Sequence, residues 1–155
     1  FVITILLALP LAACQPEDVS SRNRQMAVEL QPLSPRVAEA TTAQGHVRAD
    51  YYFVDAPANW PRSRNPELQA AMARSRLAAG EGFDLYSVYI YRKTGTLDHR
   101  FQGDAAALRG VHDRDLLAYA RWNRSGQDIA YLIDHGQVVF DMLAGRPIEP
   151  PFEFD

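Results

Sequence analysis

The sequence predicts an α+β domain with an antiparallel sheet and two main helices. Its 155 residues leave room for one domain of about 100 to 150 residues. Strand and helix patterns occur in the order strand, helix, strand, strand, helix, strand, strand. The first six elements match the βαββαβ order of ferredoxin-like folds, with one strand added. A hairpin pattern near the carboxyl end favours antiparallel pairing.

The first strand is predicted to begin at His46, because apolar and polar residues alternate from there to Phe53. The first helix is predicted to begin at Asn65, since asparagine is a good N-cap and Pro66 suits the first helical position. Gly80 predicts its end, because glycine adopts the backbone conformation of a helix C-cap.

The middle of the chain is predicted to contain two strands and a second helix. Residues 83–92 are aromatic, β-branched and apolar on both faces, which is typical of a central strand. A turn at residues 93–95 leads to a return strand over residues 96–101. Residues 104–108 predict one or two helical turns. The second main helix is predicted to open at His112-Asp113 and to end near Ser125-Gly126.

Residues 128–134 and 137–143 are predicted to pair as a hairpin about His135-Gly136, where glycine allows the positive φ of a two-residue turn. This register would bring apolar residues together across the hairpin. The predicted pairs are Ile133 with Val138, Tyr131 with Phe140, and Ile129 with Met142.

Charge and cysteine content argue against several classes of function. The 16 basic and 19 acidic residues give a net charge of -3, and no basic cluster is present to neutralise phosphates, so we expect no nucleic-acid partner. One cysteine excludes an intramolecular disulfide and any multi-cysteine metal site. HExxH, CxxC and EF-hand spacings are absent, so neither a metal nor a cofactor is expected.

Residues 1–13 carry no charge, and 11 of them are apolar. As a helix this stretch would span roughly 20 Å, short of the 30 Å hydrocarbon core of a bilayer. It therefore predicts the apolar region of a signal peptide. Because the sequence opens on Phe1 and not on Met, we expect a basic segment to precede it.

The stretch ends in Leu11-Ala12-Ala13-Cys14, which resembles the lipobox of bacterial lipoproteins. The resemblance implies cleavage before Cys14, with a diacylglycerol on its sulfur and a fatty acid on its new amino terminus. Stable membrane attachment takes two signals such as two acyl chains, and this cysteine would carry three. Gln15, by analogy, favours the periplasmic face of the outer membrane. The alternative, a buried helix with a free cysteine, is disfavoured because the stretch has no polar face.

The predicted organisation has four parts: a removed signal segment (1–13), a lipidated flexible tether (14–45), one domain (46–143) and a Pro-rich acidic tail (144–155). The tether is predicted because no aromatic residue occurs between positions 15 and 50. The tail would be either a strap packed along the domain or a recognition peptide.

Two histidine–carboxylate pairs are candidates for catalysis. His112 with Asp115 would supply a general base and its orienting carboxylate, or two metal ligands. The structural interpretation is favoured, with Asp113 capping the helix and Asp115 complementing its dipole. His46 and Asp50 would share one face of the first strand, a pattern more typical of an exposed surface.

Aromatic residues are the candidates for binding. Tyr86, Tyr89, Tyr91 and Trp60 would either line a protein-binding face or fill the core. We expect a non-enzymatic, lipid-anchored envelope protein, in the manner of hydrolase inhibitors, immunity proteins or assembly factors. The alternative is a periplasmic hydrolase that uses one of the two histidine–carboxylate pairs.

Overall fold

The structure is a computed structural model and describes residues 28–149. The predicted signal segment, Cys14 and the end of the predicted tail lie outside the described residues. The strands are β1 (Gln31–Thr42), β2 (Gly45–Val54), β3 (Leu85–Arg92), β4 (Leu116–Asn123), β5 (Ile129–Asp134), β6 (Gln137–Asp141) and β7 (Arg146–Pro147). The helices are α1 (Asn65–Ala79) and α2 (Ala105–Val111).

All seven strands form one sheet, in the order in which they follow along the chain. Neighbouring strands are antiparallel except β2 and β3, which are parallel because α1 crosses over between them. The α+β class with a mainly antiparallel sheet and two helices is confirmed. The ferredoxin-like order is not found, since a split βαβ unit leaves room for another strand, whereas β2 and β3 are hydrogen-bonded neighbours.

The flexible tether was predicted to extend to residue 45, and this is wrong for residues 31–42. They form β1, which pairs with β2 and extends the sheet. The turn between them requires Gly45, because its φ is +97° and a Cβ there would overlap the Asp84 carboxylate. Val28 and Leu33 are buried against the domain. The sequence concealed this strand because backbone pairing and a few aliphatic side chains, not aromatic residues, hold it.

The helix predicted from His112-Asp113 to near Ser125-Gly126 is wrong. Asp113–Asp115 form a single 3₁₀ turn, and the chain then enters β4, which lies between β3 and β5. Five consecutive residues of β4, from Leu116 to Ala120, are buried, and such a continuous apolar run fits a helix or a central strand equally well. The second helix is α2 instead, capped by the Asp104 side chain, which accepts from the Ala107 amide at 2.8 Å.

The strand predicted over residues 96–101 is also wrong. These residues form bends and turns after β3. Leu97 is nevertheless fully buried. The apolar residue that suggested a strand therefore anchors a loop.

The hairpin of β5 and β6 is confirmed, and His135 (φ 50°) and Gly136 (φ 78°) form its turn. Of the three predicted pairs, only Ile133 with Val138 is observed. A register shift follows, so the pairs predicted for Tyr131 with Phe140 and Ile129 with Met142 are wrong. The observed pairs beyond the shift are Leu132 with Phe140 and Tyr131 with Asp141.

The sheet separates two hydrophobic cores. On one face α1 packs Leu68 and Met72 into a cluster with Val88 and Ile90 of β3. On the other face the chain between β3 and β4 contributes a second cluster with residues of the sheet. The largest fully buried members of that second cluster are Phe53, Tyr91, Leu97, Leu108 and Ile133.

The described part of the predicted tail follows the strap interpretation. Arg146 and Pro147 pair with β6 at the edge of the sheet, where the missing N–H of proline is tolerated. The Ile148 amide donates to the Val139 carbonyl at 3.2 Å. Among the described residues, neither helix is long and apolar enough to span a membrane.

We expect Leu33→Ala to lower the free energy of unfolding by about 2 to 5 kcal/mol, because Leu33 is only 2% exposed and its loss leaves a cavity beneath β1. Urea denaturation of the whole chain measures this change. Leu77→Ala on α1 is the matched control, since Leu77 is 80% exposed and its loss should cost less than about 0.5 kcal/mol. Equal effects of the two substitutions would show that β1 is not part of the cooperative domain.

Candidate functional site

Asp50 is a buried carboxylate, and not part of an exposed strand face as the sequence suggested. It is 2% exposed, and Arg48 donates to it from Nε at 2.9 Å and from Nη2 at 3.3 Å. The Tyr86 hydroxyl donates at 2.7 Å. Burying a carboxylate without such partners would be strongly destabilising, so this arrangement fixes the side chains around it.

His46 does not join Asp50. Residues four apart on one strand are separated by about 13 Å. The His46 side chain is 45% exposed, with Nε2 3.8 Å from Glu39 Oε2 and its ring against Phe83. The predicted His46–Asp50 pair is therefore wrong.

Three hydroxyl groups complete a closed set of contacts with Asp50, here called the hydroxyl ring and made of Asp50, Tyr52, Ser75 and Tyr86. Ser75 Oγ lies 2.9 Å from the Tyr52 hydroxyl and 2.7 Å from the Tyr86 hydroxyl. The Tyr52 hydroxyl lies 3.4 Å from Asp50 Oδ2. Burial raises the pKa of Tyr86, so this hydroxyl stays protonated and remains a donor. The hydroxyl ring ties α1 to β2 and β3.

The predicted pair of His112 and Asp115 is present. His112 Nδ1 lies 2.8 Å from Asp115 Oδ2, and the Phe101 ring meets the imidazole edge-on at 5.5 Å between centroids. Asp113 caps no helix, because only a 3₁₀ turn follows His112. The pair closes the turn between α2 and β4, and the described residues contain no cluster of three or more metal-ligating side chains.

A row of four tyrosines crosses the sheet on the side opposite α1: Tyr51 (β2), Tyr89 (β3), Tyr119 (β4) and Tyr131 (β5). The pairing register of the strands aligns these tyrosines, since each one lies directly opposite the next on the neighbouring strand. The rings of Tyr51 and Tyr89 stack at 5.0 Å, and those of Tyr89 and Tyr119 lie 4.8 Å apart. We call this side of the sheet the tyrosine face.

A shallow groove of about 200 Å³ lies beside the row. Ala49 and Ser87 line it, and their small side chains leave a depression next to the larger rings of Tyr51 and Tyr89. The other lining residues are Ala38, Glu39, Ala40, Val47, Arg48, Leu85 and Arg109. The groove is therefore mainly apolar and aromatic, with charge at its rim.

Arg109 of α2 lies at the edge of this groove. Burial raises the pKa of Tyr51, Tyr89 and Tyr91, and the positive charge of Arg109 opposes the rise at all three. Arg109 is exposed and forms no salt bridge with another described residue. The tyrosine face thus presents an available cation beside aromatic rings.

Of the four aromatic residues predicted to bind a partner, only Tyr89 is partly exposed. Tyr86 and Tyr91 are buried on opposite sides of the sheet, and Trp60 is buried beneath the Arg64 guanidinium, 4.5 Å from its ring centroid. The sequence missed the row because Tyr119 was expected in a helix. Its only signal was that each of these four segments contains a tyrosine, and their alignment is known only once the strand register is known.

Comparisons with protein-family models, with curated proteins and with solved structures found no match. Function is therefore argued from the residues and their geometry.

We expect Tyr86→Phe to lower the free energy of unfolding by about 1 to 3 kcal/mol, because Asp50 and Ser75 each lose a short buried contact. Tyr52→Phe is the control in the same ring. It should cost less, since Tyr52 is only half-buried and loses one short contact, with Ser75, while its contact with Asp50 is long. Urea titrations of both variants give the comparison. A Tyr52→Phe effect as large as that of Tyr86→Phe would contradict a structural role centred on Asp50.

Proposed function

We propose that this protein is a lipid-anchored protein of the bacterial cell envelope whose domain binds a protein partner and catalyses no reaction. The observation that carries the binding role is the partly open tyrosine face, where Tyr89 and Arg109 stand beside an apolar groove. Tyrosine and arginine are enriched at protein interfaces and among the residues that dominate binding energy.

The anchor rests on the lipobox resemblance at Leu11-Ala12-Ala13-Cys14. Cys14 precedes Val28 by 14 residues, and a fully extended chain of that length spans at most roughly 50 Å. The domain would therefore work close to the membrane surface. Gln15 supports placement on the periplasmic face of the outer membrane.

The partner is expected to present apolar side chains to the groove and an acidic group to Arg109. Opposite charges at a rim guide association and orientation more than they add affinity. An inhibitor of a cell-wall hydrolase, an immunity protein and an envelope assembly factor all fit this description.

A periplasmic hydrolase is the second candidate, favoured by the 2.8 Å contact between His112 and Asp115. A general base needs to reach the proton that it removes. The His112 side chain is only 7% exposed and packs against Phe101. The structural role of the pair is thus better supported than a catalytic one.

Replacing Cys14 tests the anchor. We expect Cys14→Ser to leave the precursor uncleaved and without labelled fatty acid, because serine lacks the thiol that accepts the diacylglycerol. Metabolic labelling with radioactive palmitate measures the acylation, and the mass of the chain on a denaturing gel measures the cleavage. Normal maturation and labelling of the variant would refute the anchor while leaving the binding role standing.

Reversing the charge at Arg109 tests the binding face. We expect Arg109→Glu to lose at least about tenfold in the yield of a specific partner captured from envelope extract, through repulsion of the acidic group. Arg114→Glu is the matched control, since Arg114 is exposed and lies in the 3₁₀ turn before β4. Capture that is equal for the wild type and both variants would exclude the tyrosine face as the binding surface.

A further inference from the structure

A second cavity, of about 180 Å³, lies on the α1 side of the sheet, opposite the tyrosine face. We call it the Trp60 pocket. The loop before α1 forms one wall, and the ends of β3, β5 and β6 form the other. It is lined by Asn59, Trp60, Arg62, Arg92, Leu132, Ile133, Asp134 and Val139.

Trp60 lines this pocket and carries an unpartnered donor. The residue is 7% exposed, and its indole Nε1 is buried with no hydrogen-bond partner among the described residues. Arg64 stacks on the ring at 4.5 Å and is itself held by two hydrogen bonds to Glu67. The indole is thus fixed in place, and an indole N–H can only donate.

Arg92 brings a second unpartnered donor. Its Nε is buried without a hydrogen-bond partner among the described residues, although the side chain keeps its positive charge. Nη2 lies 3.6 Å from Asp134 Oδ1, an ion pair too long to be a hydrogen bond. A buried donor left unsatisfied is unfavourable, so a ligand that supplies an acceptor gains affinity at this point.

The charge and the volume of the pocket restrict the class of ligand that it can bind. Arg62 and Arg92 against Asp134 leave the lining with one net positive charge, which matches a monoanion. The volume is below the range of about 300 to 1,000 Å³ of pockets that hold drug-sized molecules, so the pocket suits a small group or one end of a larger molecule.

We propose that the Trp60 pocket binds a carboxylate group, with the Trp60 and Arg92 N–H groups as donors and Arg62 at the entrance. The carboxylate belongs either to a free small molecule or to the C-terminus of a peptide. This inference is independent of the proposed partner at the tyrosine face, because the two surfaces lie on opposite sides of the sheet.

The two tryptophans of the chain make the test internally controlled. The whole chain, labelled with ¹⁵N, is titrated with sodium acetate against sodium chloride of equal ionic strength. We expect the Trp60 indole N–H signal to shift and saturate with a dissociation constant on the order of 1 mM. Trp122, which lies away from this pocket, should not shift.

Short peptides distinguish the sources of the carboxylate. A tripeptide with a free C-terminus that binds at least about tenfold more tightly than acetate identifies a peptide terminus, and equal affinity identifies a free small carboxylate. The same tripeptide with an amidated C-terminus should produce no saturable shift. An amidated peptide that shifts the Trp60 signal as strongly as the free acid would overturn the proposal.

Substitutions separate binding from folding. Arg92→Gln should weaken acetate binding at least about tenfold, since a charge-assisted hydrogen bond is lost. Arg121→Gln is the matched control, because Arg121 is also a half-buried arginine with a buried, unpartnered Nε, but in β4 and outside this pocket.

Trp60→Phe removes the N–H donor and leaves a smaller aromatic ring in its place, so calorimetry should show the same loss of acetate affinity even if Arg92→Gln folds poorly. Unchanged affinity in Trp60→Phe, or a Trp60 signal in the wild type that moves no more in acetate than in chloride, would reject the site.

Discussion

The parallel pairing of β2 with β3 is the constraint on which the rest of the structure depends. Eight consecutive residue pairs, from Val47 with Leu85 to Val54 with Arg92, fix the register at the centre of the sheet. A slip of one residue would move every side chain of one strand to the opposite face. The stacking of Tyr51 on Tyr89 and the approach of Tyr86 to Asp50 both require this register.

The buried Asp50 makes that register specific. Its carboxylate needs the Arg48 guanidinium and the Tyr86 hydroxyl, and Ser75 connects the same cluster to α1. A buried charge that loses its partners destabilises the fold far more than the intact arrangement stabilises it. Alternative packings of α1 on the sheet would separate these groups, so the hydroxyl ring selects one arrangement of helix and strands.

The sheet gives the protein two chemically different surfaces. Side chains alternate between its faces, so one face carries the tyrosine row, while the other carries the α1 core and, at its end, the Trp60 pocket. The open groove is shallow and mainly apolar, and it is suited to a protein surface. The Trp60 pocket is small, with unpartnered donors and a positive lining, and is suited to one carboxylate. Neither depends on the histidine–carboxylate pair, which stabilises the turn before β4.

The sequence by itself determined the α+β class, the helix that begins at Asn65, the β3 strand and the turn at His135, because local propensities and turn residues encode them. It also carries the lipobox resemblance at Cys14. Tertiary structure decided what local patterns cannot: β1 is a strand only through its hydrogen bonds to β2, and Leu116 to Ala120 form a strand only because β3 and β5 flank them. The candidate sites depend on these pairings. Tyr89 becomes part of the tyrosine face, and Trp60 part of a pocket, only when residues distant in the chain are brought beside them.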